Sequence, residues 1–207
     1  MAQRKTHKRG RRERTCSCDW SLESKDFEGF ACRSERKVVA LHYIIRNRVG
    51  ENTTRRKMRT VIQRVKKASV SVDGKAVSTI GQGLLLLLGI EATDAEEDIQ
   101  WLCHKVLGLR IFDDEEGIMN RSIMDIDGEI IVVSQFTLMA SYKKGNRPSW
   151  IRAAGHEHAV PMYERFLEVL SEGLGKQVGK GVFGAEMQVE LINDGPVTIC
   201  MDTKNKE

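Results

Sequence analysis

One run of apolar residues determines what lies at the centre of this chain. Residues 84–90 read Leu-Leu-Leu-Leu-Leu-Gly-Ile and follow the segment Gly81-Gln82-Gly83. A helix that crosses a bilayer needs about 20 apolar residues, so this run is too short to be one. A short apolar run between glycines predicts a fully buried β-strand. The chain is therefore expected to fold around a sheet.

Alternating residues on both sides of this run predict further strands. Valines recur among polar residues from 61 to 72, up to Asp73-Gly74, a pair that suits a tight hairpin turn. Residues 75–80 form the return strand of this hairpin. A second hairpin is predicted around Asp127-Gly128 by the same reasoning. The remaining strands are predicted at residues 122–126, 129–138, 187–192 and 197–201.

Two helices are predicted from capping and spacing. Thr93 and Glu96 have the spacing of a capping box, so a helix is expected to begin there. Apolar residues at helical spacing between 162 and 170 predict a second helix that ends near Gly173 and Gly175. Because strands outnumber helices, the predicted fold class is α/β. Its sheets are expected to be short, curved, mainly antiparallel and barrel-like, covered by two helices.

The charge of the chain changes sign at residue 58. Residues 1–57 carry 16 Lys and Arg against 7 Asp and Glu, a net charge of +9, and residues 58–207 carry 17 against 22, a net charge of −5. The basic leader is expected to be disordered, because like charges repel one another unless an anionic partner binds. The alternative is a leader that is not translated, since Met58 begins a segment typical of a folded chain. Residues 58–207 are predicted as the functional domain.

The common phosphate-loop, zinc-protease and serine-hydrolase signatures are absent from the sequence, which has no GxxxxGK[ST], no HExxH and no GxSxG. His156 and His158 are two residues apart near the second helix, where they point in different directions. We therefore expect no metal and no cofactor. The apolar stretch at residues 38–45 is too short to span a membrane, and no cleavage site follows it, so the expected compartment is the cytoplasm without membrane attachment.

Two polar segments stand out in apolar surroundings. Ser134-Gln135-Phe136-Thr137 places two hydroxyls and an amide at the end of a strand, where polar groups must find partners or meet a substrate. Asn193-Asp194-Gly195-Pro196-Val197-Thr198 is predicted as a turn between two strands, and its Gly-Pro bond could be cis. Taken singly, each segment is better explained as an ordinary strand end or turn.

The chain from Met58 to Asp202 resembles the D-aminoacyl-tRNA deacylase family. The resemblance rests on a start like MRTVIQRV, then SQFTL, then a basic loop that ends in RPS, and finally NDGPVT. It implies the fold of that family and a homodimeric enzyme that acts on the aminoacylated 3′ end of tRNA. This enzyme, a carboxylic ester hydrolase, would deacylate mischarged D-aminoacyl-tRNA and glycyl-tRNA(Ala), and would leave L-aminoacyl-tRNA intact.

The resemblance also implies roles for individual residues. Gly195 and Pro196, joined by a cis peptide, would reach across the dimer interface, where their carbonyls exclude an L side chain from the partner's active site. Arg64 would support this chiral-selectivity motif, since a guanidinium can hold carbonyls in a fixed fork. The remaining site residues are Ser134, Gln135 and Thr137 as catalytic, and Phe136 and Met187 as substrate-binding.

The tRNA-binding residues are predicted from charge. Because a body of net charge −5 must compensate locally to bind phosphates, the predicted patch is Lys143, Lys144, Arg147 and Arg152, close in sequence to Ser134–Thr137.

Several alternatives stay open at this point. Thr137 could attack the ester directly, but its motif supplies no His, Asp or Glu to activate it, which favours water assisted by the ribose 2′-hydroxyl of the tRNA. A non-catalytic RNA-binding protein, with the basic leader as its tether, is the main rival function. A second rival is an enzyme of the same fold that acts on another chirality or amino acid.

Overall fold

The computed structural model describes residues 58–143 and 145–206, which form eight strands, two α-helices and one 3₁₀ helix. The leader lies outside the described residues. In chain order the elements are β1 (Arg59–Val72), β2 (Lys75–Ile80), β3 (Gly83–Gly89), α1 (Glu96–Gly108), β4 (Phe112–Asp113), β5 (Met119–Arg121), β6 (Glu129–Ser134), the 3₁₀ helix Phe136–Met139, α2 (His156–Leu174), β7 (Gly179–Lys180) and β8 (Gln188–Asp202).

Six of these strands form one mixed sheet. Its order is β2-β1-β3-β6-β7, with β8 paired to β1. Strand β1 runs antiparallel to β2, β3 and β8, whereas β3–β6 and β6–β7 are parallel pairs. At the far edges the Ser78 hydroxyl of β2 donates to the Lys180 carbonyl of β7 at 2.7 Å and accepts the Lys180 N–H at 3.0 Å. The sheet is thus a nearly closed barrel, as the predicted fold class requires.

The apolar run on β3 is buried on both faces of the sheet, as predicted. Leu86 packs into a large core cluster with Leu102 of α1 and Phe166 of α2. Leu85 points to the other side, into a smaller cluster with Ile131 of β6. Each fully buried leucine contributes about 1.5–3 kcal/mol relative to an exposed one. The two helices therefore cover one face of the barrel, and the described helices are too short or too polar to cross a membrane.

The first helix begins later than predicted. Its N-cap is Ala95, and the Asp98 carboxylate accepts the Ala95 N–H at 3.1 Å. Thr93 and Glu96 make no capping box, because the preceding turn is closed by the Asp94 carboxylate, which accepts the Glu91 N–H at 2.7 Å. The second helix ends as predicted, at Gly175, whose φ of 74° is left-handed.

The predicted hairpin around Asp127-Gly128 is wrong, because residues 122–126 form a turn and not a strand. The Asp125 carboxylate accepts the N–H and the hydroxyl of Ser122, both at 2.7 Å, and this local bonding replaces a strand ladder. Strand β6 also ends at Ser134 and not near residue 138, since the chain turns there into the 3₁₀ helix.

The last two predicted strands are one continuous strand, β8, and not two strands around a turn. Thr198 pairs with Gln63, and Asn193 pairs with Val65, so residues 194–197 bulge out of β8 opposite Arg64. The sequence pattern suggested a turn because Asp, Gly and Pro together are typical of one.

Candidate active site

A cleft of about 280 Å³ opens where β3 and β6 end, and it contains four of the predicted site residues. Ser134, Gln135 and Phe136 line the cleft from the end of β6, and Met187 lines it from the residue just before β8. The walls of the cleft are mainly apolar, and they include Leu88, Ile90, Val133, Ala154, Ala159 and Phe183. A few polar groups in an otherwise apolar cleft are typical of a ligand site.

The turn that carries these polar residues is packed tightly onto β3. The Gln135 N–H donates to the Leu88 carbonyl at 2.7 Å, and the Gln135 carbonyl accepts the Leu138 N–H at 3.2 Å. At Gly89 a Cβ would lie 3.0 Å from the Leu138 Cβ and 3.1 Å from the Gln135 oxygen. A side chain at this position would require the turn to shift by a few tenths of an ångström, so Gly89 favours the close packing of the turn onto β3.

Thr137 lies beside the cleft and does not line it. Within the described residues, its hydroxyl is hydrogen-bonded to one side chain, the Gln135 amide. A threonine needs an adjacent base before it can attack an ester, and an amide cannot serve as one. Among the residues that the structure describes, the geometry therefore gives Thr137 no activating partner.

The bulge at residues 194–197 is built around a glycine that no other residue can replace without strain. Gly195 has a φ of 120°, and its peptide bond to Pro196 is cis. A Cβ on Gly195 would lie 2.9 Å from Val197 Cγ2 and 3.0 Å from Arg64 Nη2. The base of the bulge is closed by the Asn193 side-chain oxygen, which accepts the Val197 N–H at 3.1 Å.

Arg64 is buried behind this bulge and binds groups from two other parts of the chain. Its Nε donates to the Asp194 carbonyl at 3.1 Å, and its Nη1 donates to the Ile111 carbonyl at 2.6 Å. The same Nη1 lies 3.3 Å from the Asp113 carboxylate. The guanidinium thus fixes the start of the bulge against the segment that follows α1.

The bulge and the cleft are separate places on one chain. Gly195 and Pro196 do not line the cleft of Ser134. Arg64 and Asp194 line a different cavity of about 400 Å³, together with Asp113 and Asp125. The structure therefore brings Ser134, Gln135, Phe136 and Met187 together, and leaves the Gly-Pro segment apart from them.

The predicted tRNA-binding residues are on or near one loop, and they differ in their surroundings. Ser141 and Ser149 pair through two backbone hydrogen bonds of 2.8 and 2.9 Å, and exposed Lys143 and Arg147 lie in the loop between them. Lys144 lies outside the described residues. Arg152 faces the body of the protein, where its Nε is 4.0 Å from the Glu91 carboxylate.

The glycine-rich segment 179–184, which reads Gly-Lys-Gly-Val-Phe-Gly, also contributes to the cleft, although it was not predicted as part of the site. This spacing matches the GxGxxG string of dinucleotide sites, but here it connects β7 to β8 and opens no helix, so that interpretation does not apply. Its Phe183 ring lines the cleft and contacts Tyr163 and His156, with ring centroids 5.8 and 5.4 Å apart. Burial raises the pKa of Tyr163 to about 12, so this hydroxyl stays protonated.

Known proteins resemble this chain over the same residues. The family model described as D-Tyr-tRNA(Tyr) deacylase matches residues 61–202. Proteins named D-aminoacyl-tRNA deacylase from Bacteroides thetaiotaomicron and Phocaeicola vulgatus are 64% and 62% identical over 150 residues, which cover 72% of this chain and 100% of each relative.

Two solved structures share the fold. One, described as c-Myc DNA Unwinding Element Binding Protein, is 43% identical with a TM-score of 0.66, and the match covers 69% of this chain and 97% of that one. The other, described as a probable eukaryotic D-amino acid tRNA deacylase, has a TM-score of 0.63 over 70% of this chain and 99% of that one. At 17% identity the second likeness shows the fold alone.

Proposed function

This chain belongs to the D-aminoacyl-tRNA deacylase family, and we propose that it hydrolyses the ester bond of D-aminoacyl-tRNA in the cleft lined by Ser134, Gln135 and Phe136. The observation that carries the proposal is the position of this polar segment at an apolar cleft, in a chain that matches deacylase relatives over their whole length. The enzyme is a carboxylic ester hydrolase that edits mischarged tRNA, and the proposed compartment is the cytoplasm.

The proposed substrates are D-aminoacyl-tRNA and glycyl-tRNA(Ala), and L-aminoacyl-tRNA is rejected. The chain acts as a homodimer, in which the Gly195-Pro196 bulge of one protomer reaches the cleft of its partner. The separation of the bulge from the cleft of its own chain supports this arrangement. Carbonyls presented by the bulge exclude an L side chain, whereas a D side chain points away and glycine has none to exclude.

For the chemical step we propose water assisted by the ribose 2′-hydroxyl of the substrate. The backbone amides at the start of the 3₁₀ helix have no partner within that helix, and they or the Gln135 amide stabilise the developing oxyanion. The absence of a base beside Thr137 among the described residues supports a catalytic role for the substrate hydroxyl.

This mechanism predicts that Thr137→Ala keeps substantial activity. Single-turnover hydrolysis of D-Tyr-tRNA by the variant should stay within about tenfold of the wild-type rate, because no activated nucleophile is lost. A 2′-deoxy terminal adenosine should slow the wild-type reaction far more. A Thr137→Ala loss as large as that of the 2′-deoxy substrate would assign the attack to Thr137.

The proposed function is tested by deacylation of D-Tyr-tRNA, L-Tyr-tRNA and Gly-tRNA with the full chain. Release from the D and glycyl esters alone is the expected result. An alanine at position 195 has no space for its Cβ, and the φ of 120° is unfavourable for it, so Gly195→Ala should distort the bulge. The variant should therefore hydrolyse L-Tyr-tRNA as well. Gly108→Ala is the matched control, because a Cβ there meets nothing within 4 Å.

A second candidate function is nucleic-acid binding without catalysis. It is favoured by the net charge of +9 on residues 1–57 and by the 43% identical protein described as binding a DNA unwinding element. This function predicts binding of RNA or DNA with no release from any ester, so the same deacylation assay separates the two candidates.

A further inference from the structure

Three exposed aromatic side chains belong to the segment that runs from the cleft through the following loop. Phe136 is 58% exposed, Tyr142 is 77% exposed and Trp150 is 38% exposed. Phe136 lines the cleft, and its ring meets the Trp150 ring edge to face with centroids 5.7 Å apart. Tyr142 and Trp150 each directly follow one residue of the isolated Ser141–Ser149 backbone pair that closes the loop.

Clustered exposed aromatic rings mark surfaces that bind a partner, whereas single exposed apolar residues are ordinary. The partner lies next to the cleft, because Phe136 belongs both to the aromatic group and to the cleft.

The charge around these rings indicates the chemistry of the partner. Lys143 and Arg147 are exposed between Tyr142 and Trp150 in the chain, and neither has an ion pair with any residue that the structure describes. Aromatic faces combined with unpaired cations bind single-stranded nucleic acid, in which bases stack on the rings and phosphates contact the cations.

We propose that Tyr142, Trp150, Lys143 and Arg147, here called the aromatic platform, bind the unpaired nucleotides next to the aminoacylated terminal nucleoside. This inference rests on the proposed function, because that function places the terminal nucleoside in the cleft beside Phe136. The adjacent nucleotide then meets Trp150, and the next one meets Tyr142. The platform holds the flexible 3′ end, and the cleft holds the ester.

The kinetic test compares Trp150→Ala and Tyr142→Ala with Ile151→Ala in the full chain. Ile151 is a suitable control because it is a neighbour with a 90% exposed side chain outside the platform. Two substrates are used: D-Tyr-tRNA, and D-tyrosine esterified to adenosine alone, which lacks the adjacent nucleotides.

Each platform variant should raise KM for D-Tyr-tRNA about tenfold, the effect of one lost stacked base, and should leave kcat within about twofold. KM for the adenosine ester should not change, and Trp150→Phe should retain most of the affinity for tRNA.

An equal loss on both substrates would overturn the proposal, since Trp150 would then only support the cleft. A changed oligomeric mass of either variant would also overturn it, because a second copy would then occupy this surface.

A binding experiment tests whether the aromatic platform binds nucleotides, and it does not depend on ester cleavage. The chain has three tryptophans, so Trp20→Phe with Trp101→Phe leaves Trp150 as the single reporter. The ribotrinucleotide CCA should quench Trp150 fluorescence to saturation, and Tyr142→Ala in the same background should weaken the binding. Saturable quenching in a chain that cleaves no ester would support the platform while refuting the proposed function. Absence of saturable quenching would refute the platform even in an active enzyme.

Discussion

The Arg64 guanidinium joins segments that lie far apart in the chain. It binds carbonyls of Asp194 and Ile111, and it lies within ion-pair distance of Asp113. A buried guanidinium suits such a site because its planar group of donors can reach several acceptors at fixed angles. A lysine has the same charge and lacks this geometry, so the effect of the shape can be separated from that of the charge.

We expect Arg64→Lys to destabilise the protein by about 2 kcal/mol, the loss of a charged hydrogen bond to a buried acceptor. Urea unfolding followed by circular dichroism measures the change. Arg121→Lys is the matched control, because Arg121 donates one exposed bond, to the Asp125 carbonyl at 2.6 Å, and its loss should cost under about 0.5 kcal/mol. Equal effects of the two substitutions would show that Arg64 acts through its charge alone.

Among the elements, the start of α1 is tied to the end of the chain. Asp98 is buried there, and its carboxylate binds the Ala95 N–H at 3.1 Å and the Lys204 ammonium at 2.5 Å. Thr203 adds a backbone hydrogen bond to the Met58 carbonyl at 3.0 Å. One acidic side chain therefore stabilises the helix N-terminus and holds the residues that follow β8.

This carboxylate should make stability depend on pH. Burial alone would raise the pKa of Asp98, but the hydrogen bonds from Lys204 and Ala95 and the charge of Lys204 contribute to lowering the pKa. A lowered folded-state pKa gives stability that is present above the unfolded pKa of about 3.9 and is lost as pH falls through the folded pKa.

Asp98→Asn should therefore cost about 2 kcal/mol at neutral pH and less than that at acid pH, where the wild type has lost the same interaction. Chemical unfolding at pH 7 and at successively lower pH values measures both quantities. A cost that is the same at every pH would mean that Asp98 contributes only its shape.

The elements also show how far the sequence predicts the fold. Strand β2 is predicted to the residue and β3 within one residue, because alternation and apolar runs are local signals. The turn at residues 122–126 and the bulge on β8 are not predicted, because side-chain hydrogen bonds stabilise them. The Asp125 carboxylate accepts the Ser122 N–H in the turn, and Arg64 donates to the Asp194 carbonyl in the bulge.

In the candidate site, too, some residues are predicted from the sequence and others are not. The motif SQFTL led to Ser134, Gln135 and Phe136, which line the cleft. Phe183 and Trp150 were missed because only the folded chain brings the segments that carry them to the same opening. The polar residues of a site are thus easier to recognise in a sequence than the aromatic rings that surround them in the folded chain.

For the whole molecule, the opposite charges of leader and body determine how it should respond to salt. Residues 1–57 have a net charge of +9 and residues 58–207 a net charge of −5. Neutralisation of phosphates makes nucleic-acid affinity fall with salt, in proportion to the number of cations that contact them.

We expect KM for D-Tyr-tRNA to rise more steeply with salt for the full chain than for residues 58–207. The shorter chain is a suitable comparison, because a relative named D-aminoacyl-tRNA deacylase consists of 150 residues and matches this chain over its whole length. KM measured from low to physiological salt gives both slopes. Equal slopes would exclude a role of the leader in tRNA binding.

The separation of the bulge from the cleft has a consequence for genetics. On the proposed arrangement, an active site is shared by two chains, so two differently damaged copies can restore one intact site. Dimers formed from Gln135→Ala chains and Gly195→Ala chains would contain one cleft and one bulge that are both wild type and act together. Neither allele alone encodes a site in which cleft and bulge are both wild type. Random pairing of equal amounts would make about a quarter of all sites wild type in both parts, and those sites would cleave D-Tyr-tRNA and spare L-Tyr-tRNA.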